Sequence, residues 1–305
     1  MRKIARFICA CLCLCALAGG AVAAFIINES GEGGAEEQSL TVLTLWQIDS
    51  FEGGKGSRAD YLRGLAEEFS KNNSVYIEVT SLSSDAARQN IENGTVPDII
   101  SYGAGFYGLE SLITGGTPEA WCRGGYCLLS LTSSDFSGAT AQNTVINEGR
   151  DNLTEAAALL GGLEGADTAA PTSAYVRLIN GEYQFLLGTQ RDVQRLITRG
   201  ENFFVKPLTE FNDLYQYIAV LNKDAKKLAT AEEYISYVIS QSEKLSSIGM
   251  FGEGLSLYDG AMHELESAEC EYGLPAVVSG GAVEKIKAAV QAQDINLVKS
   301  LLKPL

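Results

Sequence analysis

The 305-residue sequence predicts an α/β fold built on a parallel sheet with helices packed against it. Three observations carry the prediction. Strand-like and helix-like runs alternate between residues 41 and 102, enough for two βαβ units with right-handed crossovers. The length allows one large domain or two modest ones, with a core that needs no covalent staples. Apolar residues make up 46% and charged residues 20%, as in ordinary globular chains, which excludes wholesale disorder.

Element by element, the N-terminus comes first. Arg2, Lys3 and Arg6 precede an uncharged run from Phe7 to Ile27 that contains Gly19, Gly20 and the small residues Ala21 to Ala24. This pattern predicts an export segment, either a signal peptide cleaved at the A-x-A-like site or, because Phe25-Ile26-Ile27 prolong a run long enough to span a bilayer, an uncleaved anchor. Ile8-Cys9-Ala10-Cys11 partly resembles a bacterial lipobox and supplies a third reading, a lipidated cysteine. All three place the rest of the chain outside the cytoplasm, because the positive flank stays inside. Residues 28–39, NESGEGGAEEQS, have nothing to bury and read as a flexible, solvated linker.

From Leu40 the folded part begins. Thr41 to Trp46 reads as a buried strand, and Asp60 to Phe69 as a helix with Leu62, Leu65, Ala66 and Phe69 on one face. Gly53-Gly54-Lys55-Gly56-Ser57 lacks the spacing of a phosphate-binding loop and reads as a helix-opening loop capped by Ser57. Val75 to Val79 alternates as a strand, Asp85 to Glu92 is a short helix, and Pro97 to Tyr102 is the third strand. Far downstream, Tyr234, Ile235, Val238, Ile239, Leu245 and Ile248 form an apolar stripe on a helix from Ala231 to Ile248, with Gly249 as its stop.

Charge and composition narrow the function. There are 38 acidic and 23 basic residues, a formal charge of −15 that repels nucleic acid and anionic headgroups, so nucleic acid is not an expected partner. A catalytic triad or a zinc or iron site using histidine has only His263 to draw on. Outside the leader, three cysteines remain, Cys122, Cys127 and Cys270. Cys122 and Cys127 on one extended strand would lie about 16 Å apart and could not bridge without a turn at Arg123-Gly124-Gly125. They read as small apolar strand residues.

Ligands of parallel sheets sit beyond the carboxyl ends of the strands. After the first strand comes Gln47-Ile48-Asp49-Ser50-Phe51-Glu52-Gly53-Gly54, and after the third Gly103-Ala104-Gly105-Phe106-Tyr107-Gly108. Glycines admit close approach, aromatics offer stacking faces, and Gln47, Asp49 and Glu52 offer acceptors, an inventory suited to a polyhydroxylated solute. Ordinary surface loops are the competing reading. Gly103-x-Gly105-x-x-Gly108 matches the dinucleotide fingerprint, but no acidic residue ends a second strand about 20 residues on.

The order LTLWQID, YLRGLAEEFSKNNSVYIEVTSLS and ARQNIENGTVPDIISYG resembles the first lobe of bacterial extracellular solute-binding proteins of the sugar-binding type, the receptors of ABC importers. Trp121 to Leu129 is similar to the strand that crosses into the second lobe of that family, Asn180 to Val193 and Asn202 to Leu208 to its strand, cleft-facing turn, helix and returning strand, and Tyr215 to Leu221 to the strand that re-enters the first lobe. The resemblance implies an α/β, two-lobed periplasmic-binding-protein-like fold with hinge crossings near residues 121–128 and 206–212. Residues 40–122 and 213–305 would form lobe one and 123–212 a small lobe two, with the stretch Asp135 to Ala170 rich in small residues. It further implies a cleft offering Gln47, Asp49, Phe51, Tyr102, Phe106 and Tyr107 from the first lobe and Thr189, Gln190 and Arg191 from the second. The implied function is capture of a small polar solute, with a carbohydrate as the expected class, for ABC permease subunits at the outer face of the bacterial membrane. No cofactor or metal and no enzyme activity are expected. The alternatives are a membrane-tethered regulatory or interaction protein that reuses the fold, and a secreted glycosidase using two carboxylates, for which no local motif singles out a pair.

Overall fold

The computed structural model describes residues 40–113 and 115–305, so the export segment and linker expected over residues 1–27 and 28–39 lie outside the described residues. Two five-stranded sheets organise the described chain. The first takes β1 (Thr41–Ile48), β2 (Val75–Leu82), β3 (Ile99–Gly103), β4 (Gly115–Arg123) and β11 (Tyr215–Val220), in the order β2-β1-β3-β11-β4. β1 pairs in parallel with β2 and β3, as two right-handed βαβ units require. β11 returns antiparallel between β3 and β4, so Tyr215–Val220 shares a sheet with Thr41–Ile48 and not with the strand at residues 185–189.

Helices α1 (Arg58–Ser70) and α2 (Ser84–Glu92) connect the parallel strands. Leu62, Leu65, Ala66 and Phe69 of α1 are buried together with Val75, Ile77 and Val79 of β2, whose alternate residues face solvent. Ser57 caps α1, its hydroxyl accepting from the Asp60 amide at 3.2 Å. Replacing Ser57 with alanine is expected to cost about 1 kcal/mol, read as a lower urea midpoint at unchanged slope. An unmoved midpoint would show that the exposed hydroxyl contributes nothing to the helix start.

The second sheet has the order β7-β6-β8-β5-β9, from β5 (Tyr126–Ser130), β6 (Thr144–Asn147), β7 (Asp167–Ala169), β8 (Phe185–Thr189) and β9 (Phe204–Pro207). Between these strands run α3 (Thr154–Leu160), α4 (Pro171–Ile179) and α5 (Gln190–Arg199). The run Trp121 to Leu129 breaks at Gly124-Gly125, with β4 in the first sheet and β5 in the second. A side chain at Gly124 would collide with the Gln190 carboxamide, its Cβ lying 2.6 Å from Oε1. Cys122 and Cys127 are buried free thiols on either side of this break, and Cys270 is also free.

Two expectations need correction. The apolar stripe at residues 231–248 is not one helix: α6 (Ala225–Ser240) stops, and a 3-10 segment, Ser242–Ile248, runs on to Gly249 at φ 70°. The stop is built from side chains. The Ser240 hydroxyl donates to the Tyr237 carbonyl at 2.7 Å and the Tyr61 hydroxyl donates to the Gln241 carbonyl at 2.9 Å, satisfying carbonyls that a continuing helix would have used.

The second correction concerns the segment 213–305, expected wholly in lobe one. It divides. β11 and α6 pack in the first lobe, but α7 (Gly260–Glu266) packs on α5 and β9, and α8 (Gly280–Gln291) and α9 (Ile295–Leu301) pack on α3. Phe251, Met262 and Leu265 are buried in one cluster with Cys127, Leu129, Val145 and Leu186 of the second sheet. The second lobe is therefore enlarged by the C-terminal helices, which offer the apolar surface that its short strands and alanine-rich α3 need covered. In a small third sheet β12 (Tyr272–Gly273) pairs in parallel with β10 (Phe211–Asn212) and antiparallel with β13 (Lys303–Pro304).

Candidate functional site

Loops at the carboxyl ends of β1, β3 and β6 and the N-terminal end of α5 meet between the lobes. There they line two cavities that share Arg150. One, of about 340 Å³, is lined by Asp49, Phe51, Glu52, Ser57, Arg58 and Arg191 as well as Arg150. The other, of about 110 Å³, is lined by Ser84, Arg88, Phe106, Tyr107, Asp151, Asn152 and, from α8, Val283 and Lys287. Beside Arg150 the lobes touch: the Asp151 amide donates to the Ser50 carbonyl at 3.0 Å, and the Ser84 hydroxyl donates to Asp151 Oδ2 at 2.7 Å.

Of the residues expected in the cleft, the structure brings Asp49, Phe51, Phe106, Tyr107 and Arg191 to the cavity walls. Asp49 is engaged, accepting from Arg58 Nε at 2.7 Å and from Gln47 Nε2 at 3.0 Å. Phe51 lies beneath the Arg58 guanidinium, 4.2 Å from its ring centroid, and the Arg88 guanidinium lies 5.8 Å from the Phe106 centroid and 5.1 Å from that of Tyr107. Arg191 meets Glu52 across the lobes at 3.4 Å, and Arg195 Nη2 meets the same carboxylate at 3.5 Å. A guanidinium at a helix N-terminus opposes the helix dipole and needs such a partner. Here the protein itself supplies it.

Gln47, Tyr102, Thr189 and Gln190 do not line either cavity. Gln47 and Tyr102 are fully buried, and Tyr102 donates its hydroxyl to the Ala276 carbonyl at 3.1 Å, with burial pushing its ionisation far upward. Gln190, also fully buried, accepts from the Gly125 amide at 3.1 Å and so props the crossing between the sheets. Thr189 caps α5 in a capping box with Asp192. Asp192 is buried and accepts from the Thr189 amide at 3.1 Å, Asn147 Nδ2 at 2.9 Å and Arg195 Nη1 at 2.9 Å. Burial pushes its carboxyl above the ordinary range, against the pull of Arg195 and the two amides.

Among the cavity-lining residues absent from the expected set are Arg58, Arg88, Arg150 and Asn152. Arg150 and Asn152 follow β6, a strand parallel to β7 and β8, so the strand-end rule applied to TVIN at residues 144–147 finds them. Arg58 and Arg88 sit on helices whose apolar faces alone draw notice. Gly103 ends β3 against the Ser50 side chain, and no helix opens after Gly108, so the glycine triplet is not a dinucleotide loop. No group of three or more histidine, cysteine or acidic residues poised for a metal ion occurs among the described residues.

The chain matches no protein-family model and no curated protein in sequence. In structure it is similar to the GacH receptor of Streptomyces glaucescens, solved unliganded and with acarbose, at TM-score 0.51 and 12% identity over 86% of this chain and 94% of that one. It is also similar to the substrate binding domain of a molybdenum ABC transporter from Clostridium difficile, at TM-score 0.49, 13% identity, and 69% and 98% coverage of the two chains. Iron-bound HitA from Pseudomonas aeruginosa matches at TM-score 0.48, 13% identity, 86% and 99% coverage. With its two helix-flanked sheets and paired crossings, the chain has the two-lobed fold of periplasmic binding proteins. No helix among the described residues is long and apolar enough to cross a membrane.

Proposed function

We propose that the protein is an extracytoplasmic solute-binding protein that captures a small polar solute, a carbohydrate or a close chemical relative, and delivers it to the permease of an ABC importer. One observation carries the reading: the loops beyond the parallel strands of both sheets face each other across two crossings and enclose aromatic and charged side chains between them. Ligands of such α/β folds bind at strand ends and between domains. The acarbose complex of the structurally similar receptor supports a polyhydroxylated solute, as do Phe51, Phe106 and Tyr107 at the cavity walls.

The test is thermal unfolding of the full chain with sugars, oligosaccharides, amino acids and short peptides. A true ligand is expected to add about 2.7 kcal/mol of apparent stability at a hundred times its dissociation constant. It is also expected to move the lobes relative to one another, read as a change in the radius of gyration in solution scattering. Absence of any shift across the panel would remove the transport reading.

One observation favours the second reading, a membrane-tethered interaction protein: the lobes already meet at Ser50 with Asp151 and at Glu52 with Arg191, leaving a divided cleft. Retention of residues 1–27 in the mature protein would support it, and their cleavage or lipidation would support a transport receptor.

A further inference from the structure

The cleft is rich in cations. Arg58, Arg88, Arg150, Arg191 and Lys287 line the two cavities against Asp49, Glu52 and Asp151, in a chain where acidic residues outnumber basic ones 38 to 23. Each carboxylate has a partner. Asp49 is held by Arg58 and Gln47, Glu52 by Arg191 and Arg195, and Asp151 by the Ser84 hydroxyl. Glu52 Oε2 and Asn152 Oδ1 are buried without a hydrogen bond, and the donors are not all taken either. Arg58 is 3% exposed, yet its Nη1 is buried without a hydrogen-bond partner, and a buried unpaired guanidinium nitrogen is costly unless something accepts from it. Arg150, which lines both cavities, is exposed and makes no hydrogen bond or ion pair among the described residues. The Ser50 hydroxyl is likewise buried without a partner in the second cavity.

We propose, resting on the solute-binding reading above, that the cleft selects an anionic solute, a carboxylate-bearing carbohydrate or polyol acid, with Arg150 and Arg58 as the carboxylate donors and Phe51, Phe106 and Tyr107 as the faces for its carbon skeleton. The balance of charge in the lining decides the sign of the ligand. The two cavities present five cations against three carboxylates, and each of those carboxylates already lies against an arginine or a hydroxyl of the protein, so the surplus charge favours an anion over a neutral sugar. A carboxylate matches that surplus, and a guanidinium can take it through two parallel hydrogen bonds.

Matched pairs test the proposal. Calorimetry of the full chain with D-glucuronate against D-glucose, D-galacturonate against D-galactose, and with citrate reads the effect of the carboxylate directly. The acid of at least one pair, or citrate, is expected to bind at least about tenfold more tightly than the neutral sugars, with affinity falling as salt is raised from 0.05 to 0.5 M. Arg150→Gln, at an exposed side chain without partners, is expected to reduce that affinity about tenfold or more at an unchanged melting temperature, and Arg191→Gln to reduce it as well. Equal or tighter binding of the neutral sugar, or unchanged affinity in Arg150→Gln, overturns the charge assignment and leaves the solute-binding reading standing. No heat and no thermal shift with any member of the pairs or with citrate overturns the charge assignment, and if the wider sugar, amino acid and peptide panel is silent too, the solute-binding reading falls with it.

Discussion

Asp192→Ala is expected to lower the stability of the protein by roughly 3 to 4 kcal/mol and its melting temperature by about 10 °C. Asp192 is fully buried, accepts from Asn147 Nδ2 and forms one end of the capping box on α5. Removing it leaves that amide and the Thr189 N–H without acceptors, each costing about 1 to 3 kcal/mol, and deprives Arg195 of one of its two carboxylates. Because the same carboxylate fixes the start of α5, the change is also expected to loosen Arg191 at the cleft. Asp192→Asn keeps one acceptor and is expected to lose about half as much. Thermal unfolding followed by circular dichroism reads both, and a loss under 1 kcal/mol in Asp192→Ala would show that the network does not hold the helix.

Asp213 sets the second large effect, through pH. It lies at the return crossing, fully buried, accepting from the Tyr126 hydroxyl at 2.8 Å and from the Leu153 amide at 2.6 Å, and so joins the crossing to the second lobe. Burial pushes its carboxyl from the ordinary 3.8 up to about 6, although both hydrogen bonds oppose the rise. A carboxyl whose folded value is raised favours the folded state most when protonated. Its contribution is therefore complete below about pH 3.8 and is lost as pH rises through about 6, a change of roughly 3 kcal/mol. In Asp213→Asn this dependence disappears, so the variant is expected to gain on the wild type steadily between pH 4 and 6.5. The comparison of the two isolates Asp213 from exposed groups such as Glu68, Asp135 and Asp167, whose lowered values act in the opposite direction in both proteins. Urea unfolding at a series of pH values measures it, and parallel curves for the two proteins would refute the assignment.

Much of the first lobe is legible in the sequence because its elements are long and regular. Val75, Ile77 and Val79 alternate as a half-buried strand must, Leu62, Leu65, Ala66 and Phe69 recur at helical spacing, and Ser57 and Gly249 sit where a cap and a left-handed stop are needed. The second lobe is less legible. Thr144–Asn147 is four residues and Thr154–Leu160 seven, largely alanine and leucine, too short for either period to declare itself. With β6 unseen, the loop that carries Arg150, Asp151 and Asn152 had no strand end to belong to.

What the sequence by itself determined is local: which runs become strands and helices, where they are capped, and that glycines, aromatics and polar groups gather in the loops after β1 and β3. Periodicity reports that a face is buried but not what buries it. Only the tertiary structure placed α7 on α5 and β9, and α8 and α9 on α3, a helix more than a hundred residues earlier in the chain. Only it sorted the charges, because Asp49 with Arg58 lies within one loop and helix start, whereas Glu52 with Arg191 and Ser84 with Asp151 are brought together through space. Hydrogen bonds and ion pairs act over a few ångströms, so which carboxylates are already satisfied, and which arginines are left to face a ligand, is a property of the folded distances and of nothing shorter in range along the sequence.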